Sequence, residues 1–583
     1  MISFENGKTV LCGKYHEVAK YDMSNESIAI AADGKGGLTS YRVVNHPGDM
    51  LCSVLSLDLA AQGKRLSPYL PKTVETVGRM QKITIKTEEG DVSVTTFLTK
   101  DTGGVFFLID GGDLSLDLCF NCRDAKSDSV QKAPVVEGQN FVLYSSVAGD
   151  WVKENDCFYV AANGTIELLF SFGAPSEALA SAFADFQGAL ASCKAEAEGV
   201  SVPSSVQTEE ERALYLSSYF TALENHKTIG DFSAFVAGIN YLDPARTYYR
   251  DSYFTVLPLL RSHPELIKQQ LLTLAKGIAK DGACPSAVKS DFTAFWGDHY
   301  DSPSFFVMEV YDYVAATGDR AILDAVVNGN SIGDKIKRVM SRLQSLTDES
   351  GLIYKEGVYN KRDWADEVNR SGYVTFVEAL YYRALVAASR LFVGVDDGLS
   401  LAYFKQSEAV KVAINSLLYD EQKGYYVNYK NKYFTEDNLS IDTVFAVLFG
   451  VADEQRSKSV LGAMERLLET QNNKEQQGGA FGVMCVYPPY SLPRAACHKS
   501  SRLFDYHNGA NWCYLTAMYA YAKSLFGMDW RTPLLSTFRY MTEHGHFTPV
   551  EYFSPCCPTG SALQAWSAAM AFVFDRAGEN FFE

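Results

Sequence analysis

Residues 363–392 read DWADEVNRSGYVTFVEALYYRALVAASRLF. The first turn is acidic and aromatic, which is unusual for a connector. From about Tyr373 onward apolar side chains recur at Phe376, Leu380, Leu385 and Ala388, the spacing of one face of a helix. A loop carboxylate, Asp366, is thereby set just ahead of an apolar helix, with Trp364 two residues away to shield it from water. Desolvation of this kind raises a carboxyl pKa towards the range of a general acid. The competing reading of the same turn is a plain helix entry, where acids complement the macrodipole.

Outward from this stretch, everything after Pro203 has helical character. Thr208 with Glu211 makes a capping box for a helix to about 225. Further patterns cover about 250–262, 264–280, 302–317, 319–346 with an interruption near Asn328-Gly329, 373–393, 398–418, 438–451, 453–470, 507–526, 528–544 and 560–576, which makes twelve. Short links (Ser262 to Pro264, Gly318, Asp396-Asp397, Ala452, Gly527) alternate with long loops at about 226–249, 281–301, 346–372, 419–437, 472–506 and 545–559. Six helical hairpins with all long loops on one rim predict a closed double ring, an (α/α)6 barrel, and binding residues concentrate in such loops. A superhelix of stacked helix pairs is the alternative, but no fixed repeat period supports it.

The first 173 residues carry strand and turn signals instead. QKITIKTEEGDVSVTTFL alternates across an acidic Gly turn, and FYVAANGTIELLFSF carries Asn163-Gly164, a two-residue hairpin signal. The expected fold is therefore mainly α, an (α/α)6 catalytic barrel over 204–583 preceded by an antiparallel β-sandwich over 1–173. An Ala-rich helical linker over 174–203 would join them.

Composition narrows the partners. The chain has 583 residues and a formal net charge of -17; nucleic-acid binding relies on clustered Lys and Arg, so no nucleic-acid partner is expected. The opening MISFENGKTVLCGKYHEVAK has no basic segment followed by a long apolar run, and no later stretch reaches the length of a membrane span, so no membrane partner and a cytoplasmic location are expected. The twelve cysteines are scattered and read mostly as buried thiols. Cys119-Phe-Asn-Cys122 falls in a strand-like run with no second pair, and the vicinal Cys556 and Cys557 have no role legible from sequence. Asp298-His299 and His544-Gly545-His546 fall short of a full metal ligand set, so no metal and no cofactor are expected. Gly478-Gly479 with Gly482 lacks the strand and Lys that phosphate binding requires.

The long loops and the helix starts after them gather acids beside flat rings. They hold Tyr248-Tyr249-Arg250-Asp251, Phe295-Trp296-Gly297-Asp298-His299-Tyr300-Asp301, Trp364-Ala365-Asp366-Glu367, Glu436-Asp437-Asn438, Asp505-Tyr506-His507-Asn508 with Trp512, and Pro549-Val550-Glu551-Tyr552. Rings stack on the apolar faces of a sugar while carboxylates and Arg bond its hydroxyls, so an oligosaccharide is the expected partner. Cleaving a glycoside requires one protonated and one ionised carboxyl. Asp366 and Glu551 are the candidate pair, with Glu367 a neighbour expected to point elsewhere.

These segments also resemble a known family. Trp364-Ala365-Asp366 followed by Asn369-Arg370-Ser371-Gly372 and Glu378-Ala379-Leu380-Tyr381 resembles the acid-bearing segment of the amylo-α-1,6-glucosidase part of glycogen-debranching enzymes. Tyr249-Arg250-Asp251-Ser252 resembles their Arg-Asp sugar-binding segment, and Tyr506-His507-Asn508-Gly509 with Trp512 a Tyr-His-Asn-Gly segment. Pro549-Val550-Glu551, with Gly560 and Gln564-Ala565-Trp566-Ser567, resembles the segment that carries the base. The resemblance spans roughly 240–576 in matching order and extends to the glucoamylase-like clan of inverting (α/α)6 glycosidases. It implies Asp366 as general acid and Glu551 as general base. Tyr249, Arg250, Asp251, Trp296, Asp298, His299, Trp364, Glu367, His507, Asn508, Trp512 and Trp566 would then line the sugar. Ala365 stands where the family usually has Met, Tyr249 where it has Gly, and there is no room for an additional transferase barrel.

The expected activity is inverting, exo-acting hydrolysis of an α-linked, gluco-type oligosaccharide. Inversion calls for roughly 6.5 to 9.5 Å between the two carboxyls, against about 5 to 5.5 Å for retention. The alternatives are another sugar such as rhamnose or mannose, an inverting phosphorylase, and a non-catalytic carbohydrate-binding barrel. Oligomeric state is not legible from the sequence.

Overall fold

The computed structural model describes residues 1–13, 20–45, 51–66, 72–122, 129–130, 135–137, 141–147, 151–154, 157–172, 175–357, 362–490, 498–555 and 560–582. Cys556 and Cys557 lie outside the described residues. The chain divides into two compact units, one made of Met1–Lys227, Ile239–Pro244 and Met541–Pro549, the other of Thr228–Gly238, Ala245–Tyr540 and Val550–Glu583.

In the first unit sixteen strands join one hydrogen-bonded network. The alternating stretch Met80–Lys86 turns back on Asp91–Phe97 with Lys86 opposite Asp91, as its period predicts. Asn163-Gly164 behaves differently: it makes no hairpin, because Cys157–Phe172 runs through it as one strand. Its partner Val105–Cys122 places Ser115 opposite Asn163 and Asp110 opposite Thr165, so residues 111–114 bulge out across from Gly164. Positive φ at Gly164 (77°) and Gly112 (57°) absorbs this bulge, the same backbone freedom that a tight hairpin would have used. The long strand Val105–Cys122 pairs with Asp91–Phe97 near its start and with Leu51–Ala61 near its end. The network thereby folds into a sandwich over an apolar core that includes Leu11, Ile30, Ile83, Leu116 and Phe158.

The Ala-rich stretch forms two helices, α1 (Glu177–Ala184) and α2 (Phe186–Glu198). Phe186 of α2 meets Phe97 and Phe106 of the sheet edge-on, so these helices have their own core on the strands. Helix α3 (Glu209–Glu224) starts at the Thr208/Glu211 capping box and packs on the strands Ile2–Glu5, Lys8–Cys12 and Lys72–Val77.

The second unit is helical. It contains α4 (Tyr249–Val256), α5 (Pro264–Lys276), α6 (Ser302–Thr317), α7 (Ile332–Ser345), α8 (Thr375–Phe392), α9 (Asp397–Leu418), α10 (Val444–Leu448), α11 (Glu454–Leu467), α12 (Cys513–Leu525) and α14 (Ala569–Arg576), with α13 (Arg531–Glu543) crossing the division between units. The even-numbered helices are buried nearly all round, whereas α5, α7, α9 and α11 are amphipathic. A helix apolar on every side belongs inside a layer of others. Accordingly α4 packs on α6, α6 on α8, α8 on α10, α10 on α12 and α12 on α14. The 3-10 turn Ala565–Ala568 ahead of α14 returns to α4 and closes the ring, while α5, α7, α9 and α11 lie outside it. The expected interruption near Asn328-Gly329 is a small hairpin, Val326–Val327 with Asn330–Ser331, after which the Ser331 hydroxyl caps α7. Among the described residues no helix is long and apolar enough to cross a membrane.

Candidate active site

The six helices of the ring share one arrangement: each is entered from a loop or short bridge that carries polar groups inward. Arg250 and Asp251 open α4, and Asp301 sits at the N-cap of α6 behind Pro303. Asp366 lies in the loop before α8, His507 before α12, and Glu551 before the turn Ala565–Ala568 that leads into α14. Residues more than 300 positions apart in sequence thus meet on one rim, as when Gln564 Nε2 donates to Asp251 Oδ1 at 3.3 Å.

Asp366 and Glu551 are the carboxyls of this group that are only partly buried. The Asp366 side chain is 25% exposed, against 7% for Asp251. Its pKa is raised from the usual 3.8 to about 7, chiefly by burial; Arg250 pulls against the rise, while Glu551, Glu367 and Asp363 add to it. Asp251 is likewise held near 7, by burial and by Glu551 and Asp301, with Arg250 opposing. Asp366 and Asp251 therefore both feel Glu551 and Arg250, which brings the four into one electrostatic neighbourhood. Arg250 is fixed by a buried bond from Nη1 to Asp301 Oδ2 at 2.7 Å.

Two donors face Asp366. The Tyr506 hydroxyl lies 3.5 Å from Asp366 Oδ1. His507 Nε2 lies 3.9 Å from the same oxygen. The backbone N–H of Glu367 donates to His507 Nδ1 at 3.4 Å, which leaves the ring proton on Nε2. Burial drives the His507 pKa well below its ordinary value, so the ring is neutral. It is clamped between Trp364, edge-on at 4.9 Å, and Trp512, stacked at 4.8 Å. Glu367 turns away, its Oε2 accepting from the Ser500 backbone N–H at 3.4 Å.

Glu551 is placed by its own short bridge. Trp512 pairs with Tyr552, the residue after Glu551, and the rings of the two stack at 5.1 Å. Ser561 N–H donates to Glu551 Oε2 at 3.1 Å. Gly560 makes room for that carboxylate, because a Cβ there would lie 2.2 Å from Oε2. Trp566 stacks on Tyr514 at 4.3 Å and lies under the Arg250 guanidinium at 5.5 Å.

Several buried polar atoms here make no hydrogen bond among the described residues: His507 Nε2, Trp566 Nε1, Gln564 Oε1 and Asp251 Oδ2. Buried donors and acceptors left unpaired are costly, and a polyhydroxylated ligand supplies both kinds of partner.

Other side chains expected at the sugar are engaged elsewhere. Tyr249 is fully buried and its hydroxyl donates to Leu274 O of α5. Asp298 pairs with Arg342 of α7 at 2.8 Å, and Asn508 Oδ1 accepts from the Tyr490 backbone N–H. His299 stays near the group, its Nδ1 3.6 Å from Asp301 Oδ1, with Trp296 parallel to it at 6.4 Å. Trp296 itself is 53% exposed and has a φ of 55°. Trp364 donates from Nε1 to Asp442 Oδ2 at 2.6 Å and so belongs to the support beneath Asp366.

That support was not foreseen. Arg370 bonds Asp363 Oδ1 and Asp442 Oδ2, each at 2.6 Å, and Lys355 bonds the other Asp363 oxygen. Despite burial, Arg370 and Lys355 hold the Asp363 carboxyl far below the carboxylate range. Asp363 Oδ1 also accepts from Ala365 N–H at 2.9 Å, fixing the backbone one residue before the acid. Asp363 and Arg370 stand in the opening stretch, but Lys355, earlier in the same loop, and Asp442, in the 3-10 turn Ile441–Thr443, carry no local signal. Asp301 and Gln564 were likewise visible in their segments without any sign that they would grip Arg250 and Asp251.

Residues 231–572 match the family described as Amylo-alpha-1,6-glucosidase. No curated protein matches the chain. Among solved structures it is similar to a bacterial glucoamylase complexed with acarbose, at 13% identity and a TM-score of 0.62, over 97% of each chain. A rhamnosidase from Klebsiella oxytoca with rhamnose bound is similar at 14% identity and a TM-score of 0.48, over 97% of this chain and 98% of the other. The first of these likenesses shows the glucoamylase-like (α/α)6 fold.

Proposed function

The chain belongs to the amylo-alpha-1,6-glucosidase family and is a glycoside hydrolase, and on that premise we propose that it removes a terminal sugar from an α-linked gluco-oligosaccharide with inversion. Protonated Asp366 gives its proton to the glycosidic oxygen as the bond from that oxygen to the anomeric carbon breaks. Glu551, as carboxylate, takes a proton from a water whose oxygen bonds to the same carbon from the opposite face. Arg250, Asp251 and His507 Nε2 hold the sugar's hydroxyls, and Trp296 offers it a flat face.

One observation carries this reading. A partly exposed aspartate is held near pKa 7 within the field of a second carboxyl that is itself fixed by a backbone N–H. The structural neighbour's acarbose makes an α-glucoside the first substrate class to try.

Proton NMR of the sugar first released from an α-1,6-linked gluco-oligosaccharide is expected to show the β anomer. The α anomer appearing first would refute inversion. Asp366→Asn and Glu551→Gln are each expected to lower kcat at least about a hundredfold; a Glu551→Gln enzyme with undiminished kcat would remove the base from the scheme.

A further inference from the structure

A second concave site lies on the barrel beside the acid loop. It has a volume of about 570 Å³ and is lined by Tyr300, Tyr354, Tyr373, Arg362, Asp348 and Lys432, among others. That size suits one or two sugar residues rather than a packing defect. Its floor is preorganised: Tyr373 donates to Asp348 Oδ2 at 2.7 Å, and Tyr354 meets Tyr373 edge-on with ring centres 5.2 Å apart. Tyr300 forms another wall, its ring under the Arg362 guanidinium at 5.3 Å. Lys432 and the 84%-exposed Tyr433 project from the tip of the hairpin that pairs with Tyr373–Val374.

The lining decides what fits. Its charged groups, Arg362 and Lys432 against Asp348 and Glu356, cancel formally, which disfavours a phosphate or any other strongly charged ligand. Fixed phenol rings and side-chain hydroxyls instead suit a neutral polyol with apolar faces. Position points the same way, because Tyr300 adjoins Asp301 and Arg362 adjoins Asp363, and the Tyr300 N–H donates to Arg362 O. Four residues of chain span at most about 14 Å, so Arg362 of this cleft lies within a short oligosaccharide's reach of Asp366.

We propose that this tyrosine-lined cleft is an accessory sugar-binding site that holds the remainder of the glucan whose end is cleaved, giving the enzyme a preference for long chains over disaccharides. The proposal rests on the hydrolase reading for its ligand class, and its test does not depend on turnover. The full-length Asp366→Asn protein is titrated calorimetrically with a linear α-1,4-linked glucose heptasaccharide and with an α-1,6-linked glucose disaccharide. The heptasaccharide is expected to bind at least tenfold more tightly. Tyr354→Ala in that background should cut the ratio of the two affinities about tenfold, and Lys432→Ala, at an exposed tip that cannot unsettle the fold, about threefold. Equal affinities in the parent protein, or a ratio that neither substitution moves, would overturn the cleft as a binding site. Such a result would leave hydrolysis by the wild-type enzyme standing, whereas an enzyme that binds the heptasaccharide through Tyr354 yet cleaves no α-glucoside would refute the hydrolytic reading alone.

Discussion

Burial raises the Asp366 carboxyl from 3.8 to about 7, and the catalytic scheme needs it protonated. Activity should therefore fall as pH rises through 7, with kcat/KM showing an alkaline limb near that value. Asp251 is also held near 7, so both carboxyls lose their protons across this limb. A profile flat from pH 5 to 9 would contradict the assignment of Asp366 as the acid. The same shift has a consequence for stability. A carboxyl whose folded pKa exceeds its unfolded one binds its proton more tightly in the native state, so stability is lost as pH climbs from about 4 to 7. Asp366→Asn keeps the group neutral and should raise stability at pH 8 by on the order of 2 kcal/mol while changing little at pH 4. Denaturant melts at the two pH values check this.

At the scale of elements, the bridge of Trp512 with Tyr552 and the return of the chain at Gly560 set where Glu551 stands. Gly560→Ala would drive a Cβ into the Glu551 carboxylate. It is expected to lower kcat by about a hundredfold with little change in KM, since a small displacement of a reacting group is enough for that loss. Steady-state kinetics separate the two constants. Helices were legible where periodicity and caps coincide, as at α6, with Pro303 in its first turn and Gly318 in the left-handed region at its end. Asn163-Gly164 misled because positive φ serves a bulge as well as a hairpin, and only the length of the partner strand distinguishes them. Asp366 and Glu551 could be singled out because each stands in a distinctive loop before a helix. The bonds of Tyr249 to Leu274 O, of Asp298 to Arg342 and of Asn508 to Tyr490 N–H could not be read, because their partners lie far along the chain.

Across the whole molecule, the acid is supported from three separate loops. Arg370 joins the loop of Asp363 to Asn428 and Asp442, and all of these groups are buried. The pairing of Arg370 with Asp442 was invisible in sequence, since ionic partners 72 residues apart share no period. Arg370→Ala would leave the buried Asp442 without its cation and Asp363 with Lys355 alone, and should destabilise the protein by roughly 3 to 5 kcal/mol, measurable by urea unfolding. The ring is closed only when the turn Ala565–Ala568 returns to α4. Arg250 is therefore made early and its companions Glu551, Gln564 and Trp566 late, with Asp366 between them. A polypeptide still emerging from the ribosome carries Asp366 long before it carries Glu551, the proposed activator of water. On the proposed scheme the chain stays chemically silent until the turn Ala565–Ala568 and α14 have been added and can dock on α4 and α12.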